Sequence, residues 1–258
     1  MLVALTREVS PHLDRCQLTH LAREPIDVAR AQAEHRAYER CLKELGCWVE
    51  HVRPAPELPD SVFIEDTAVV TDELAVVTRP GAPSRRPETA AVAAILRAYR
   101  PIVSIEQPGT VDGGDVLRIG RMVFVGRSSR TNAEGAAQLA RHLTPLGYLV
   151  QEISVTGCLH LKSAAAEVAD NTLLYNPAWV DRAVFRGLEL IEVVPSEPMG
   201  GNALRVGDTI VYADAWVRTR ERLERSGIRV VSLDTSELAK AEAGVTCCSL
   251  IFHAERAA

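Results

Sequence analysis

The sequence lacks long apolar runs, clusters of basic residues and closely spaced cysteine pairs, and each absence excludes a class of protein. No apolar run approaches the roughly 20 residues that a transmembrane helix needs. Residues 1–8 contain neither the basic segment nor the full apolar segment of a secretory signal. The net charge is −5 and no stripe of Lys and Arg occurs, so we expect neither nucleic acid nor a membrane as a partner.

Cysteine is present but sparse. The six cysteines show neither a Cys-x-x-Cys pair nor the density of a disulfide-bonded scaffold. This usage is typical of a reduced protein, so we expect a cytoplasmic location. A chain of 258 residues is long enough to bury a core and to form one large domain or two small ones.

A repeat runs through the chain in the form Leu-x-x-x-Gly-x-x-Val. Its three clear copies cover residues 42–49, 143–150 and 223–230, and degenerate copies cover residues 95–102 and 183–190. Each copy is typical of a helix that ends at a glycine and is followed by a strand. Apolar stretches between the copies predict hairpins that turn at Asp72-Glu73, Gly120-Arg121, Asp170-Asn171 and Gly207-Asp208.

A fifth hairpin is missing, but its two halves are present at the two ends of the chain, in residues 2–7 and 247–252. If these halves pair, the repeats close into a ring that hides both exposed edges. We therefore predict an α/β fold, a five-bladed α/β propeller of five ββαβ repeats in a single catalytic domain over residues 1–258. A doubly wound α/β sheet would contain similar elements without the terminal pairing.

Local signals refine this prediction. Asp27 and Asn132 should cap helices that reach about Leu45 and Leu146. Pro87 should lie in the first turn of a helix over residues 88–99. Residues 9–25 are predicted to form a loop that is long enough to serve as a lid.

Polar residues occur where a strand begins in each predicted unit, and equivalent strand ends converge on the axis of a ring. They are Asp60, Glu65 and Asp66 in the first unit, Asp112 and Asp115 in the second, His160 and Lys162 in the third, Asn202 in the fourth, and Thr246 and Cys247 in the fifth. A thiol, an imidazole and a carboxylate together are what nucleophilic catalysis by cysteine requires. Individually, a cysteine or a histidine between leucines is also compatible with the core.

The surplus of carboxylates indicates a cationic substrate. Glu65, Asp66 and Asp112 would repel one another unless a cation lies between them, and a guanidinium matches carboxylates in a bidentate manner. Arg85 and Arg130 could then bind a substrate carboxylate, although solvated surface arginines are the alternative. Zinc could use the same cysteine, histidine and aspartate, but no closely spaced ligand pair occurs, so we expect no obligatory metal and no cofactor.

Six segments carry a resemblance to a known family. They are PDSVFIED (59–66), TRPGAPSRR (78–86), DGGDVL (112–117), RTN (130–132), LHLKS (159–163) and TCCS (246–249). Together they resemble the dimethylarginine dimethylaminohydrolase family, which belongs to the guanidino-modifying penteins, a superfamily of five-bladed α/β propellers. The resemblance implies a small-molecule substrate, and we expect a monomer or a homodimer.

The resemblance also implies roles for individual residues. Cys247 would be the nucleophile, His160 the general acid and base, and Asp112 the carboxylate that orients the histidine. The implied substrate pocket consists of Leu18, Asp60, Glu65, Asp66, Arg85, Arg130, Ala241 and Glu242. The family pattern has an aspartate where this chain has Glu242, so we expect backbone groups there to contact the substrate. Cys248 should face the core, because side chains alternate along a strand.

The implied reaction is hydrolysis of Nω-methylated L-arginine, asymmetric dimethylarginine or monomethylarginine, to L-citrulline and dimethylamine or methylamine. It would pass through a thiouronium intermediate on the cysteine. Two alternatives stay open at this point. One is another guanidine hydrolase of the superfamily that acts on arginine or agmatine, and the other is a catalytically silent protein that binds methylarginines.

Overall fold

The computed structural model describes residues 1–254, which contain fifteen β-strands and six α-helices. The strands are β1 (Leu2–Thr6), β2 (Trp48–His51), β3 (Ala68–Val70), β4 (Ala75–Val77), β5 (Ile102–Ser104), β6 (Val116–Ile119), β7 (Met122–Arg127), β8 (Leu149–Ser154), β9 (Ala165–Ala169), β10 (Thr172–Tyr175), β11 (Glu189–Glu192), β12 (Leu204–Val206), β13 (Thr209–Ala213), β14 (Arg229–Leu233) and β15 (Leu250–His253). The helices are α1 (Val28–Glu44), α2 (Thr89–Leu96), α3 (Ala133–Leu143), α4 (Leu161–Ala164), α5 (Val217–Arg225) and α6 (Ser236–Ala239). Within this range the structure has no helix that combines the length and the apolar character needed to cross a bilayer.

The strands form five three-stranded sheets. In each sheet an antiparallel pair is extended by a third strand that runs parallel to the central one. The sheets are β15-β1-β2, β3-β4-β5, β6-β7-β8, β9-β10-β11 and β12-β13-β14. The four predicted hairpin turns lie between the antiparallel strands of the last four sheets, as the sequence pattern indicated.

The first sheet joins the two ends of the chain. β1 pairs with β15 in antiparallel register, with Leu2 opposite His253 and Leu5 opposite Leu250. This pairing is the feature that distinguishes a closed ring from a doubly wound sheet. The predicted five-bladed α/β propeller is therefore confirmed.

The core lies between the blades. Buried apolar side chains form five clusters, and each cluster joins two neighbouring sheets. The cluster that closes the ring contains Ala4 of β1 and Val211 of β13, which belong to the first and last sheets. Because apolar burial is satisfied between neighbours, the axis is left to polar residues.

The predicted helix caps are present, but two helical segments and one strand differ from the prediction. Asp27 and Asn132 cap α1 and α3 through their side chains, and a short 3-10 turn extends α3 to Leu146. The predicted helix at 88–99 is shorter, since α2 starts at Thr89 and ends at Leu96, and Pro87 lies in the preceding 3-10 turn. The helix predicted before Gly187 is a single 3-10 turn, Arg182–Phe185. Cys247 was expected to begin a strand, but β15 begins only at Leu250.

Candidate active site

Short turns in front of the strands carry the polar residues to one end of the axis. Glu65 and Asp66 lie in the 3-10 turn Ile64–Thr67, which leads into β3. Asp112 precedes a similar turn, Gly113–Asp115, in front of β6. His160 immediately precedes α4, and Cys247 lies in the turn that precedes β15.

A pocket contains most of the predicted site residues. Its lining is Gln17, Asp60, Phe63, Asp66, Arg85, Arg130, Leu159, His160, Ala241, Glu242, Ala243 and Cys247. The volume open to the centre of a water-sized sphere is only about 20 Å³, which is room for about one water molecule. A substrate the size of an amino acid therefore requires the walls or the cover of this pocket to move.

His160 and Asp112 form the central pair of the site. His160 Nε2 lies 3.0 Å from Asp112 Oδ2, and the backbone N–H of Gly81 donates to Asp112 Oδ1 at 2.8 Å. Burial alone would lower the pKa of His160, but Asp66, Asp112 and Asp115 together raise it to about 9. The imidazole is therefore a cation at neutral pH, and its Nδ1 lies 3.9 Å from Asp66 Oδ1.

The imidazole packs against a glycine for a steric reason. A Cβ on Gly114 would lie 2.6 Å from His160 Nδ1 and 2.9 Å from Asp66 Oδ1. The N–H of Gly114 also donates to Asp66 Oδ1 at 2.9 Å. The Gly-Gly dipeptide of the DGGD motif thus allows the histidine and the aspartate to approach the same backbone.

Asp66 is held as an anion by a buried ion pair. Arg85 Nη1 lies 2.5 Å from Asp66 Oδ2, and the same guanidinium contacts Glu88 and the carbonyl of Phe63. Burial would raise the pKa of Asp66, but His160 and Arg85 outweigh that effect and lower it to about 2. Arg85 was expected to bind a substrate carboxylate. It lines the pocket, but each of its nitrogens already donates to a protein group.

Glu65 faces away from the pocket. Its carboxylate accepts from Lys162 Nζ and from Thr246 Oγ1, both at 2.8 Å, and Asn202 donates to the same threonine. Glu65 and Lys162 both line a separate cavity of about 460 Å³. No role was predicted for three residues that had been named among the polar residues where strands begin: Lys162, Asn202 and Thr246.

The two adjacent cysteines differ in environment. Cys247 is partly exposed and its Sγ accepts from the N–H of Gly244 at 3.3 Å, whereas Cys248 is buried in the core. Burial, followed by the charges of Glu65 and Asp66, raises the pKa of the Cys247 thiol to about 12. The expected separation of the two residues is confirmed, but its cause is a turn rather than the alternation of a strand.

Residues of the predicted lid cover the pocket. Asp60 accepts from the N–H of Gln17 at 3.0 Å, and Arg130 Nη2 donates to Thr19 Oγ1 at 3.1 Å. Glu242 accepts from backbone N–H groups of the same segment. Leu18 does not line the pocket, because its side chain packs against the apolar cluster beneath the lid.

Asp115 is a buried residue for which no role was predicted. Its Oδ1 accepts from the N–H of Leu161, next to His160, and its Oδ2 accepts from Ser128 and Thr131. Thr131 Oγ1 in turn accepts from the N–H of Asp112 at 3.1 Å. Burial is the main reason why the pKa of Asp115 is raised to about 6. This carboxylate links the backbones of the histidine and its aspartate partner.

Asp66, Asp112 and His160 each place one ligand atom within 4.8 Å of the others. Such a group could contact a metal ion. Arg85 already neutralises Asp66, and Arg130 Nη1 lies 3.6 Å from Asp112 Oδ2. Because two arginines and a cationic histidine already offset these carboxylates, the group is poorly suited to a divalent metal ion.

Comparison with known proteins identifies the family. Residues 50–185 match the family model described as arginine deiminase. An N(G),N(G)-dimethylarginine dimethylaminohydrolase of Streptomyces coelicolor is 40% identical, covering 96% of this chain and 95% of that protein. The protein of the same name from Pseudomonas aeruginosa is 37% identical, covering 88% of this chain and 90% of that protein.

Solved structures of related proteins are also similar to this chain. A mutant of the Pseudomonas aeruginosa enzyme in complex with citrulline superimposes with a TM-score of 0.92 at 35% identity, over 96% of this chain and 98% of that one. The N-terminal domain of ArgZ, a cyanobacterial arginine dihydrolase, has a TM-score of 0.87 at 20% identity and shares the fold, over 97% and 98% of the two chains. The motifs, the propeller and the relatives agree, and the chain belongs to the dimethylarginine dimethylaminohydrolase family.

Proposed function

We propose that this protein hydrolyses Nω-methylated L-arginine, as asymmetric dimethylarginine or monomethylarginine, to L-citrulline and dimethylamine or methylamine. The observation that carries the proposal is that Cys247 and His160 line one pocket, and that His160 is paired with the buried Asp112. A nucleophile, an acid and a group that orients the acid are the components of covalent catalysis by cysteine. The relatives named above carry this activity in their names.

The charges that line the pocket support a cationic substrate with an amino-acid end. Asp60 and Asp66 lie among the lining residues, together with Arg130. A guanidinium would be attracted to Asp66, and an α-ammonium to Asp60. Arg130, which already lies 3.6 Å from Asp112 Oδ2, would also bind the α-carboxylate, and a decarboxylated substrate such as agmatine would lack this second ion pair.

The reaction would begin with a proton leaving the thiol. A thiol whose pKa is raised to about 12 is protonated at neutral pH. A bound guanidinium would offset the charges of Glu65 and Asp66 and favour the thiolate. His160 already holds a proton and does not accept this one, so the proton passes to solvent as the substrate binds.

The two following steps exchange one proton through His160. The Cys247 thiolate attacks the guanidinium carbon, and the histidine cation gives a proton to the departing amine as the C–N bond breaks. The resulting thiouronium is attacked by water, whose proton is taken by the now neutral His160. Collapse of the adduct breaks the C–S bond and restores the thiolate, and citrulline is released as the remaining hydroxyl proton of the adduct passes to solvent.

We further propose a single catalytic domain over residues 1–258 that works in the cytoplasm as a monomer or homodimer. The six cysteines are all free, and five of them are buried. Free thiols are typical of proteins in a reducing compartment. The chemistry above uses only side chains and water, so no cofactor or obligatory metal is part of the proposal, and neither nucleic acid nor a membrane is a proposed partner.

The test is citrulline release measured separately with dimethylarginine, monomethylarginine, arginine and agmatine. We expect citrulline and the methylated amine from the first two substrates only. Citrulline and ammonia from arginine would instead assign an arginine deiminase activity, and turnover of agmatine an agmatine deiminase activity. Binding of dimethylarginine in calorimetry without turnover would assign a binding protein.

A further inference from the structure

The lid over the pocket, defined here as residues 17–21, is held mainly through its backbone. The N–H groups of Thr19, His20 and Leu21 all donate to the carboxylate of Glu242, and Thr19 reaches both carboxylate oxygens at 3.0 Å. Successive N–H groups that converge in this way form an anion-binding concavity. In this structure the anion is a side chain of the same protein.

Glu242 has an unusual backbone conformation that fixes its direction. Its φ is +60°, in the left-handed region that few residues other than glycine adopt. The turn that follows α6 holds it there, because the N–H groups of Ala241 and Glu242 donate to Leu238 and Ala239 at 3.0 Å. The side chain is therefore presented to the lid by a backbone with little freedom.

The lid residue implied in substrate binding lies between two such contacts. Leu18 follows Gln17, whose N–H donates to Asp60, and precedes Thr19, which contacts Glu242 and Arg130. All three partners of the lid also line the substrate pocket. The side chains of Asp60, Arg130 and Glu242 therefore contact the lid and also line the substrate pocket.

We propose that Glu242 is a positioning residue whose carboxylate holds residues 17–21 closed over the substrate. The proposal rests on the function proposed above. With the lid in place the pocket admits about one water molecule, and in this proposal the substrate enters when the contacts of Glu242 open and is enclosed when they form again. Weakening them lowers the affinity of the closed complex without altering the groups that carry out the chemistry.

Three substitutions separate the carboxylate from other properties of the residue. Glu242→Gln keeps the shape but leaves one acceptor oxygen and no charge. Glu242→Gly removes the side chain and favours the left-handed backbone, so the turn itself is preserved. Glu242→Asp retains the charge on a shorter stem. Glu57→Gln is the control, since Glu57 is exposed and has no hydrogen bond or ion pair within residues 1–254.

Two measurements follow the lid and the reaction independently. Trypsin cleavage after Arg23, which lies next to the lid, reports opening in the absence of substrate. Steady-state kinetics with dimethylarginine give KM and kcat. Melting curves of all variants identify any that do not fold. Glu242→Gly removes the side chain but keeps the turn, so its effects are not caused by loss of the turn.

For Glu242→Gln and Glu242→Gly we expect cleavage about tenfold faster and KM about tenfold higher, because charge-assisted hydrogen bonds are lost. We expect kcat to stay within about twofold, since only binding is weakened. Glu242→Asp should lie between these variants and the wild type, and Glu57→Gln should match the wild type.

Unchanged cleavage and KM in both variants would overturn the proposal. A loss of kcat at constant KM would also overturn it, because Glu242 would then act on the chemistry. If the wild type releases no citrulline, the proposed function fails, and the cleavage rates alone then decide whether Glu242 holds the lid.

Discussion

The wall of the pocket and its lid enclose the same space but are held by different contacts. In the wall, Asp66, Asp112 and Arg85 are buried, and the ion pair between Asp66 and Arg85 has both partners out of water. In the lid, Thr19 and His20 are exposed, and the contacts run from backbone N–H groups to carboxylates. Breaking a buried pair by removing one partner costs about 3–5 kcal/mol, whereas exposed charged contacts contribute about 1 kcal/mol or less.

This difference separates the two tasks of the site. The wall must keep the histidine and its carboxylates in one arrangement while charge moves between them. The lid must open for every substrate, and contacts of modest strength permit this. Substitutions in the wall should therefore change kcat, and substitutions in the lid should change KM.

The largest effect is expected for the nucleophile. Cys247→Ser should reduce citrulline release from dimethylarginine to the background rate, because a serine hydroxyl stays protonated in a site that disfavours even the thiolate. Cys248→Ala is the matched control and should retain most activity, since Cys248 is buried in the core. Full activity of Cys247→Ser would exclude this cysteine as the nucleophile.

The next effect is expected for Asp112→Asn. The asparagine can still accept from Gly81, but it no longer stabilises a cationic His160, so kcat should fall by about 100-fold or more. Asp72→Asn removes an exposed carboxylate of the same type and should leave kcat unchanged. If Asp112→Asn and Asp72→Asn had the same kcat, Asp112 would have no role in the chemistry.

The protonation of His160 gives a pH dependence. Since its pKa is raised to about 9, the acid form is present at neutral pH, and kcat should fall about tenfold per pH unit above pH 9.

The stability of the fold should also depend on the protonation of His160. Its pKa in the folded protein exceeds the ordinary value of 6.5, so the protonated imidazole stabilises the fold fully below pH 6.5 and loses this contribution as pH rises through 9. Melting temperatures of wild type and His160→Gln should accordingly converge across this window. A constant difference would contradict the raised pKa.

The smallest effect is expected in the lid. Thr19→Val removes the hydroxyl that accepts from Arg130 but keeps the N–H that donates to Glu242. Loss of this one hydrogen bond should raise KM about threefold at constant kcat. Thr19→Ser keeps the hydroxyl and should restore the wild-type KM. A fall in kcat would show that the lid and the wall are not independent.

The fold was predictable because its signals are local and repeated. Gly46, Gly147 and Gly227 have positive φ where the repeat required a helix end, and the paired ends followed from closing a ring. The last strand was predicted to start at Cys247, but β15 starts three residues later, at Leu250. Thr246 there contacts Asn202 and Glu65, and such distant contacts turn the chain whatever the local propensity.

The candidate site was predictable as a set of residues but not as a set of contacts. Strand starts indicated which polar residues would meet, yet Glu65 pairs with Lys162, and Arg85 is already paired with Asp66. Asp115 supports Leu161 and Thr131 by contacts that only the folded chain reveals. The side chain of Glu242 was discounted because the family pattern has an aspartate at that position, and its contacts with residues 19–21 appear only in the folded chain.

The pairing of β1 with β15 also orders events during synthesis. The first strand leaves the ribosome early but must wait for the last one, because Leu2 lies opposite His253. Cys247 comes just before that closing strand, so a nascent chain that ends at β14 can complete four sheets but lacks the proposed nucleophile. Until β15 is made, the edge of β1 that pairs with it has no partner strand and is open to pairing with other chains.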